Sequence, residues 1–307
     1  MSPSETVTRK PDQTTGRSNT LAIIAGMGAN IWLGGSALYW KALREVSPSV
    51  LVAYRVLLSL AVLMLALVLL GKLGALYRNL TLNSVVVHGV AALLLATNWG
   101  LFIYASIQGF VLESGLGYLI APCITVAASV LMLSERLSSL HTVAFVLIGI
   151  ALAYLAVYAQ GLNHGIYLAI ALTWGGYVCL KKVSTIDALC ATTLETLLLS
   201  LVCLVALLFT SWEMALPVTM PTSMSIVLLF AGLVSVVPLL MIAFSARRLA
   251  LTTMSTFQFL LPTTQFVLAV VVYKQSINMT VATVISFVWL LLALLVAFPA
   301  MKNMLRQ

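Results

Sequence analysis

Charged residues are scarce in this 307-residue chain: they make up only 8% of it, whereas apolar types make up 62%. A soluble globular domain carries roughly 25% charged residues, and the mean hydropathy here is +1.11. This composition excludes a soluble domain and predicts an integral membrane protein. Alternating segments of about ten residues, typical of transmembrane β-barrels, are also absent. We therefore expect an all-α membrane protein.

Cysteines and catalytic motifs are equally scarce. The sequence lacks the G-x-x-x-x-G-K-[ST] run of ATP-driven proteins and the H-E-x-x-H motif of zinc proteases, and no Ser/His or Asp/Asp constellation indicates an enzyme. The chain is therefore predicted not to be an enzyme and to use neither a cofactor nor a metal. The four cysteines show no C-x-x-C spacing, which argues against a disulfide or a zinc site: Cys123, Cys179, Cys190 and Cys203.

Acidic residues are half as frequent as basic ones, with 8 Asp and Glu against 16 Lys and Arg, giving a net charge of +8. If the N-terminus is cytoplasmic, twelve basic residues lie in inner segments and three in outer ones. This asymmetry follows the positive-inside rule and predicts that both termini are cytoplasmic. The basic excess is thus explained by topology, and no nucleic-acid partner is expected. The inner residues are Arg9, Lys10, Arg17, Lys72, Arg78, Arg136, Lys181, Lys182, Arg247, Arg248, Lys302 and Arg306, and the outer ones are Lys41, Arg44 and Lys274.

About ten apolar runs approach the ~20 residues needed to cross a bilayer. They lie near 21–40, 50–70, 84–106, 114–134, 140–158, 163–180, 189–209, 223–245, 252–273 and 278–299. Residues 1–20 are polar and contain two prolines, which predicts a disordered cytoplasmic tail rather than a signal peptide. Residues 300–307 are predicted to form a second cytoplasmic tail.

A block of about 140 residues occurs twice, as a constant offset between three pairs of landmarks indicates. The pairs are Arg55 and Glu195 (195 − 55 = 140), Pro122 and Pro262, and Glu135 and Gln275. We predict two five-helix repeats, over 21–158 and 163–299. Because five is odd, the second repeat must enter the membrane from the opposite face. The expected fold is ten transmembrane helices in two inverted five-helix repeats, which in membrane proteins meet at a transport pathway.

Arg55 and Glu195 lie well inside apolar runs. A charge in hydrocarbon is costly, so such residues are typically functional, although each could instead snorkel to its interface or cap a neighbouring helix. Each should lie about 9 Å below its own membrane surface, in opposite leaflets, so a direct salt bridge between them is not assumed. Our hypothesis is that Glu195 carries a coupling proton, whereas Arg55 attracts an anionic group or alternates between partners.

The spans 114–134 and 252–273 each contain a proline and a polar pair at corresponding positions. Pro122 and Pro262 each remove a backbone hydrogen bond, which predicts kinks that act as hinges. The polar pairs, seven residues apart and therefore expected on one helical face, are Tyr118 with Thr125 and Gln258 with Gln265. These positions are predicted to line the pathway. The alternative is ordinary hydrogen bonding between packed helices.

Three more residues complete the predicted pathway. Asn98 and Trp99 fall in the middle of the third apolar run, where a polar amide needs a partner. Trp174 precedes two glycines and either stacks on a substrate or packs against a neighbouring helix. Aromatic residues at span ends are interpreted as interfacial anchors, and three histidines near span boundaries show no metal-binding spacing. The anchors are Trp40, Tyr77, Tyr158 and Trp212, and the histidines are His88, His141 and His164.

Three segments resemble the drug/metabolite transporter superfamily, most closely the RarD-like branch of its EamA-type permeases. They are NWGLFIYASIQGFVLESGLGYLIAPCITVAASVLMLSERL, ARRLALTTMSTFQFLLPTTQFVLAVVVY and DALCATTLETLLL. The resemblance implies a bacterial inner-membrane permease that exports small metabolites, with a central cavity lined mainly by spans 1, 3, 4, 6, 8 and 9. The chain departs from the family at Gln275 and Ser134, where the family usually has glutamate and glycine.

Together these features predict a secondary transporter of the bacterial cytoplasmic membrane, acting as a monomer or homodimer. It would export a small polar or amphipathic metabolite by alternating access, with a proton gradient as the hypothesised energy source. Three alternatives are an uptake permease of the same fold, a membrane-embedded enzyme and a non-transporting membrane subunit.

Overall fold

The computed structural model describes residues 13–133, 139–159, 161–209, 220–246, 248–249 and 257–304, and the regular structure in these ranges is helical throughout. The helices are α1 (Gln13–Ala42), α2 (Pro48–Leu69), α3 (Leu73–Arg78), α4 (Leu82–Gln108), α5 (Val111–Leu133), α6 (Ser139–Tyr158), α7 (His164–Val183), α8 (Ala188–Phe209), α9 (Thr222–Leu229), α10 (Ala231–Ala246), α11 (Leu260–Val271) and α12 (Met279–Met304). This arrangement confirms the prediction of an all-α protein.

Within the described residues, six helical segments are long and apolar enough to cross a bilayer. They are Asn19–Ala42, Pro48–Leu69, Leu82–Gln108, Val111–Ala128, Ala188–Leu208 and Thr222–Ile242, the last combining α9 and α10. Shorter apolar helices cover Thr142–Leu155, Leu260–Val271 and Met279–Leu291. Many large apolar side chains point outward, as lipid contact requires; Leu82 is 82% exposed and Met279 84%. The prediction of ten spans remains a prediction.

The ends of the chain contain more helix than predicted. Helix α1 begins at Gln13, so residues 13–20, predicted as part of a disordered tail, are helical. Helix α12 likewise continues to Met304, four residues past the start of the predicted C-terminal tail. Residues 1–12 and 305–307 lie outside the described part of the chain.

Local signals fix where the central helices begin. Pro48 opens α2, where a missing backbone N–H costs nothing, and so sets the position of Arg55 two turns further on. Thr81 caps α4 by accepting a hydrogen bond from the backbone N–H of Ser84, and Asn163 caps α7 in the same way. Helix α4 ends at Gly109, whose φ of 86° favours glycine.

Glycines let α5 and α7 pack at backbone contact. A Cβ added at Gly117 would lie 2.8 Å from the carbonyl oxygen of Tyr167, and one added at Gly175 would lie 3.2 Å from that of Ala121. Small residues on both helices thus allow an approach that any larger side chain would block. The other main helix pairings are α1 with α10 and with α11, α4 with α7 and with α8, α2 with α8 and with α10, α5 with α11, and α6 with α12.

The structure corrects one interpretation around Pro262. Helix α11 begins at Leu260, so Pro262 lies in its first turn, and Phe257, before the turn at 258–259, is helical as well. The prediction that Pro262 kinks this span stays a prediction. Gln258 lies in the preceding turn and is exposed, whereas Gln265 is buried. The prediction that Gln258 and Gln265 share a helical face is therefore wrong. Pro122, by contrast, lies inside α5.

The anchor prediction is wrong for Trp40, which is fully buried. Its ring packs edge-on against Tyr39 and belongs to the largest apolar cluster. The position of Trp40 near the end of a span did not reveal its burial, because burial depends on packing against other helices. Tyr77 and Tyr158 are exposed, as an interfacial role requires, and Trp212 lies outside the described residues.

Candidate functional site

The first element of the site is Arg55, a buried cation that lines a cavity. Its side chain is 5% exposed, and the guanidinium carbon lies 4.2 Å from the ring centre of Trp99 and 5.2 Å from that of Trp40. Among the described residues, no protein group accepts a hydrogen bond from Nε or Nη1 of Arg55. Cation–π contact with two indoles stabilises the charge in part, but its hydrogen-bonding capacity is left unused.

This cavity, called the Arg55 cavity below, is small and opens in part to the outside of the protein. Its walls come from α1, α2, α4, α5, α7, α10 and α11. The lining residues are Leu33, Ser36, Arg55, Leu95, Asn98, Trp99, Phe102, Tyr118, Trp174, Tyr177, Ser235, Leu239 and Leu261. Five residues predicted to line a pathway (Arg55, Asn98, Trp99, Tyr118 and Trp174) therefore meet around one space.

A hydrogen-bond network fixes the polar wall of the cavity. The Asn98 side-chain amide donates to Thr173 Oγ1 at 3.2 Å and to the carbonyl oxygen of Ile170 at 3.3 Å. The Tyr118 hydroxyl in turn donates to Asn98 Oδ1 at 2.8 Å. The partner that a buried mid-membrane amide needs is thus supplied by α5 and α7.

Aromatic rings form an apolar part of the lining, and Tyr118 belongs to it as well as to the hydrogen-bond network. The Tyr118 and Trp174 rings meet edge to face at a centroid distance of 5.6 Å, and Trp174 is followed by Tyr177 at 5.6 Å with an interplanar angle of 33°. Phe102 contacts Tyr118 at 6.1 Å. Such offset and edge-on arrangements are favourable for aromatic pairs and hold each ring in place. The cavity thus combines one cation with a rigid apolar surface.

The second element is a buried carboxylate with three donors. Glu195 is fully buried; its Oε1 lies 2.7 Å from His88 Nδ1 and 3.0 Å from Lys181 Nζ, while Oε2 accepts from the Tyr177 hydroxyl at 3.0 Å. His88 is also buried, and its Nε2 lies 3.0 Å from Ser184 Oγ. We call His88, Tyr177, Lys181 and Glu195 the Glu195 cluster. The donors of this cluster stabilise the negative charge of Glu195, whose burial without partners would be very unfavourable.

Lys181 connects the Glu195 cluster to the protein surface, because its side chain is 22% exposed whereas those of Glu195 and His88 are at most 2% exposed. One end of the cluster is therefore partly exposed, whereas its carboxylate and imidazole are enclosed. At the other end Tyr177, which donates to Glu195, lines the Arg55 cavity with its ring. Tyr177 is thus a direct physical link between the cavity and the buried carboxylate.

Four predicted pathway residues do not line the Arg55 cavity. They are Thr125, Glu195, Gln258 and Gln265. The Thr125 hydroxyl donates back to the carbonyl oxygen of Ala121 within its own helix, and Gln265 Nε2 donates to Ser114 Oγ at 3.2 Å between α11 and α5. These contacts match the alternative of hydrogen bonding within and between packed helices. Arg55 and Glu195 make no ion pair with each other.

Sequence reasoning missed His88, Tyr177 and Lys181 as partners of Glu195. The signal was weak: Tyr177 and Lys181 are four residues apart and so share a helical face, but His88 comes from a different helix. Its position near a predicted span boundary gave no sign that it is buried, at 2% exposure. Among the described residues, no group of three or more metal-binding side chains comes together.

A third polar contact lies on the side of the protein predicted to face outward. Gln275 Nε2 donates to Glu113 Oε2 at 3.1 Å, and Gln275 Oε1 accepts from the backbone N–H of Leu112 at 2.9 Å. Glu113 is 2% exposed. The residue at which this chain departs from the family pattern thus has a defined role: its amide holds α5 against the segment after α11.

The chain is similar over nearly its whole length to proteins named as transporters. A protein named an uncharacterized transporter from Pseudomonas aeruginosa is 31% identical over 286 residues, covering 92% of this chain and 95% of that protein. RarD from Streptomyces exfoliatus is 30% identical over 280 residues, covering 89% and 87%. The chain belongs to the RarD-like transporters. RarD from Escherichia coli strain K12 is 28% identical, covering 87% of this chain and 90% of that protein.

No protein-family model matches this RarD-like chain. One crystal structure of a protein is 20% identical and covers 90% of this chain and 96% of its own, with a TM-score of 0.58. At that identity the likeness shows a shared fold. Together with its apolar helices, the relatives make the chain a multi-pass membrane transporter for a small molecule.

Proposed function

We propose that this RarD-like protein is a proton-coupled secondary exporter of a small polar or amphipathic metabolite. It acts by alternating access in the bacterial cytoplasmic membrane, with both termini in the cytoplasm. The observation that carries the proposal is that Tyr177 contacts both the Arg55 cavity and the Glu195 carboxylate. Its ring lines the Arg55 cavity, and its hydroxyl donates to the buried Glu195. A substrate in the cavity and a proton on the carboxylate thus share one contact residue.

The helix pairings support two inverted repeats, α1 to α6 and α7 to α12, with α3 as a connection and α9 and α10 as one span. Under this correspondence α1, α2, α4, α5 and α6 match α7, α8, α10, α11 and α12, in that order. The contact of α5 with α7 then corresponds to the contact of α11 with α1, and that of α4 with α7 to that of α10 with α1. Likewise, the contact of α2 with α10 corresponds to that of α8 with α4. The pairs α2 with α8, α5 with α11 and α6 with α12 map onto themselves. A two-fold relation between the repeats predicts this pattern of matched pairings.

The Arg55 cavity is lined from both proposed repeats, by α1, α2, α4 and α5 from the first and by α7, α10 and α11 from the second. In transporters built from inverted repeats, rocking of one repeat against the other exposes such a site alternately to the two sides. The close glycine contacts between α5 and α7 lie where the two proposed repeats meet.

Glu195 is the proposed proton carrier. When ionised it accepts three hydrogen bonds, two of them from groups that are or can be cationic, His88 and Lys181. Protonation removes the negative charge and weakens all three contacts, because charge-assisted bonds are about twice as strong as neutral ones. Tyr177 is then free to reorient towards the cavity. Proton uptake and substrate contact would in this way favour different arrangements of the same residue.

The test combines metabolite profiling with flux measurements. Metabolites that accumulate in the medium of overexpressing cells and not of deletion cells identify the substrate, which is then loaded into proteoliposomes with and without an imposed pH gradient. We expect Glu195→Gln to lose stimulation by the gradient. Glu45→Gln, which changes an exposed acid, is the matched control. Flux through Glu195→Gln that matches wild type in rate and gradient dependence would eliminate Glu195 as the carrier.

A further inference from the structure

We infer that the Arg55 cavity selects small monocarboxylates with a flat or linear apolar body and no ammonium group. The inference rests on the proposed function only in taking this cavity as the substrate site. It assigns the carboxylate to Arg55 and the apolar body to the wall formed by Phe102, Tyr118 and Trp174.

The charge of the ligand follows from Arg55. Its guanidinium is buried, lines the cavity and has two nitrogens without a protein acceptor among the described residues. No ion pair with Arg55 is found in the described part of the chain either. A buried cation without a counter-charge is unfavourable, so a bound anion supplies what the protein does not. A neutral or cationic ligand would leave this charge uncompensated.

The ligand carries one negative charge because Arg55 is the one cation among the described lining residues. The other polar lining groups are neutral: the hydroxyls of Ser36, Ser235 and the two tyrosines, and the amide of Asn98. A phosphate monoester carries close to two negative charges at pH 7, and one guanidinium would not neutralise it. A ligand with one negative charge would be neutralised by the single guanidinium of Arg55.

The shape of the anionic group follows from the guanidinium of Arg55. Its carbon lies 4.2 Å and 5.2 Å from the ring centres of Trp99 and Trp40, whose indoles offer no hydrogen-bond acceptor. The N–H groups lie in the guanidinium plane, so an acceptor must approach along its edge. A planar carboxylate matches this edge, since its two oxygens lie in one plane with the donors.

The rest of the ligand is apolar and uncharged. Beyond the aromatic wall, the cavity is lined by Leu33, Leu95, Leu239 and Leu261, which offer no partner to a charged group. No carboxylate is among the lining residues in the described part of the chain, and Glu195 is already engaged by three donors of its own cluster. A zwitterionic amino acid would therefore bury its ammonium group without a counter-ion.

The experiment compares ligands of one shape and different charge on the purified full-length protein in nanodiscs. The probes are phenylacetate, phenylacetamide, phenethylamine and phenylalanine, with hexanoate and indole-3-acetate as further carboxylates, and binding is followed by calorimetry and by tryptophan fluorescence. We expect the best carboxylate to bind at least about tenfold more tightly than phenylacetamide, and the amine and the zwitterion to bind more weakly still. This comparison uses wild-type protein and needs no variant to fold.

Arg55→Gln should abolish the preference for phenylacetate over phenylacetamide, whereas Arg55→Lys should keep part of it. Lys72→Gln removes a part-exposed cation outside the cavity and should change nothing. Equal binding of acid and amide, tighter binding of the amine or the zwitterion, or no binding of any carboxylate overturns the inference. Gradient-driven flux of a neutral metabolite would contradict the proposed ligand class and leave the transport proposal intact. Carboxylate binding without flux would support the ligand class and contradict the transport proposal.

Discussion

Tyr177 donates its hydroxyl hydrogen to Glu195 Oε2 at 3.0 Å while its ring lines the cavity that contains Arg55. The substitution Tyr177→Phe removes this one hydrogen bond and keeps the ring. A hydrogen bond to a charged group contributes about 1.5–3 kcal/mol. We therefore expect gradient stimulation of flux to fall by roughly tenfold or more, whereas substrate affinity changes by less than about threefold.

Proteoliposome flux with and without a pH gradient measures the first effect, and calorimetry measures the second. Tyr39→Phe is the control, because the Tyr39 hydroxyl donates to the carbonyl oxygen of Val227 and does not contact Glu195. Full gradient stimulation in Tyr177→Phe would mean that the hydrogen bond does not couple the cavity to the carboxylate.

The Arg55 cavity could be predicted largely from sequence because its members are polar or aromatic residues inside apolar runs. Arg55, Asn98 and Trp99 were all recognisable as unusual for hydrocarbon, and the structure brings them to one space. Such residues must face the protein interior, whatever the packing details. Helix positions followed from composition for the same reason, since length and hydropathy decide what can span a bilayer.

The Glu195 cluster could not be predicted, because its contacts depend on the rotation and depth of three helices. His88 and Glu195 are separated by 107 residues, and no spacing in the sequence records that their side chains meet. The 140-residue offset pairs Arg55 with Glu195 as corresponding positions of the predicted repeats but gives no information on their surroundings. Those surroundings differ: indoles surround Arg55, whereas three hydrogen-bond donors surround Glu195.

Two ion pairs in the protein should differ sharply in strength. His88 and Glu195 are 2% and 0% exposed, whereas Lys72 and Asp187 are 27% and 37% exposed. A double-mutant cycle of His88→Ala and Glu195→Gln, followed by reversible unfolding in mixed micelles, should give a coupling energy of at least about 1.5 kcal/mol. The matched cycle of Lys72→Gln and Asp187→Asn should give less than about 1 kcal/mol, because solvent screens that pair. Similar values for both cycles would contradict the assignment of Glu195 to a desolvated cluster.

Restoring the family's usual acid at position 275 should destabilise this protein. Gln275→Glu replaces a donor with a carboxylate beside the buried Glu113, at the present distance of 3.1 Å, so an attractive contact becomes a like-charge one. We expect a loss of about 1–3 kcal/mol in the free energy of unfolding, seen as a lower midpoint in thermal unfolding at neutral pH. Gln258→Glu makes the same chemical change at an exposed position and should stay within about 0.5 kcal/mol of wild type. Combining Gln275→Glu with Glu113→Gln should recover most of the lost stability, and no recovery would show that the Glu113–Gln275 contact is not the cause.

Backbone contact between α5 and α7 makes Gly117 sensitive to the smallest side chain. The Cβ of alanine there would lie 2.7 Å from Ile170 side-chain atoms and 2.8 Å from the carbonyl oxygen of Tyr167, a clash that only movement of α7 can relieve. We expect Gly117→Ala to lower the free energy of unfolding by about 1–3 kcal/mol. It should also reduce ligand binding, because α7 carries Trp174 and Tyr177 into the Arg55 cavity. Gly149→Ala in α6 meets no atom within 4 Å and should be neutral or stabilising, since alanine favours a helix over glycine by roughly 1 kcal/mol. Equal stability of the two variants in thermal unfolding would show that α5 and α7 are not in backbone contact.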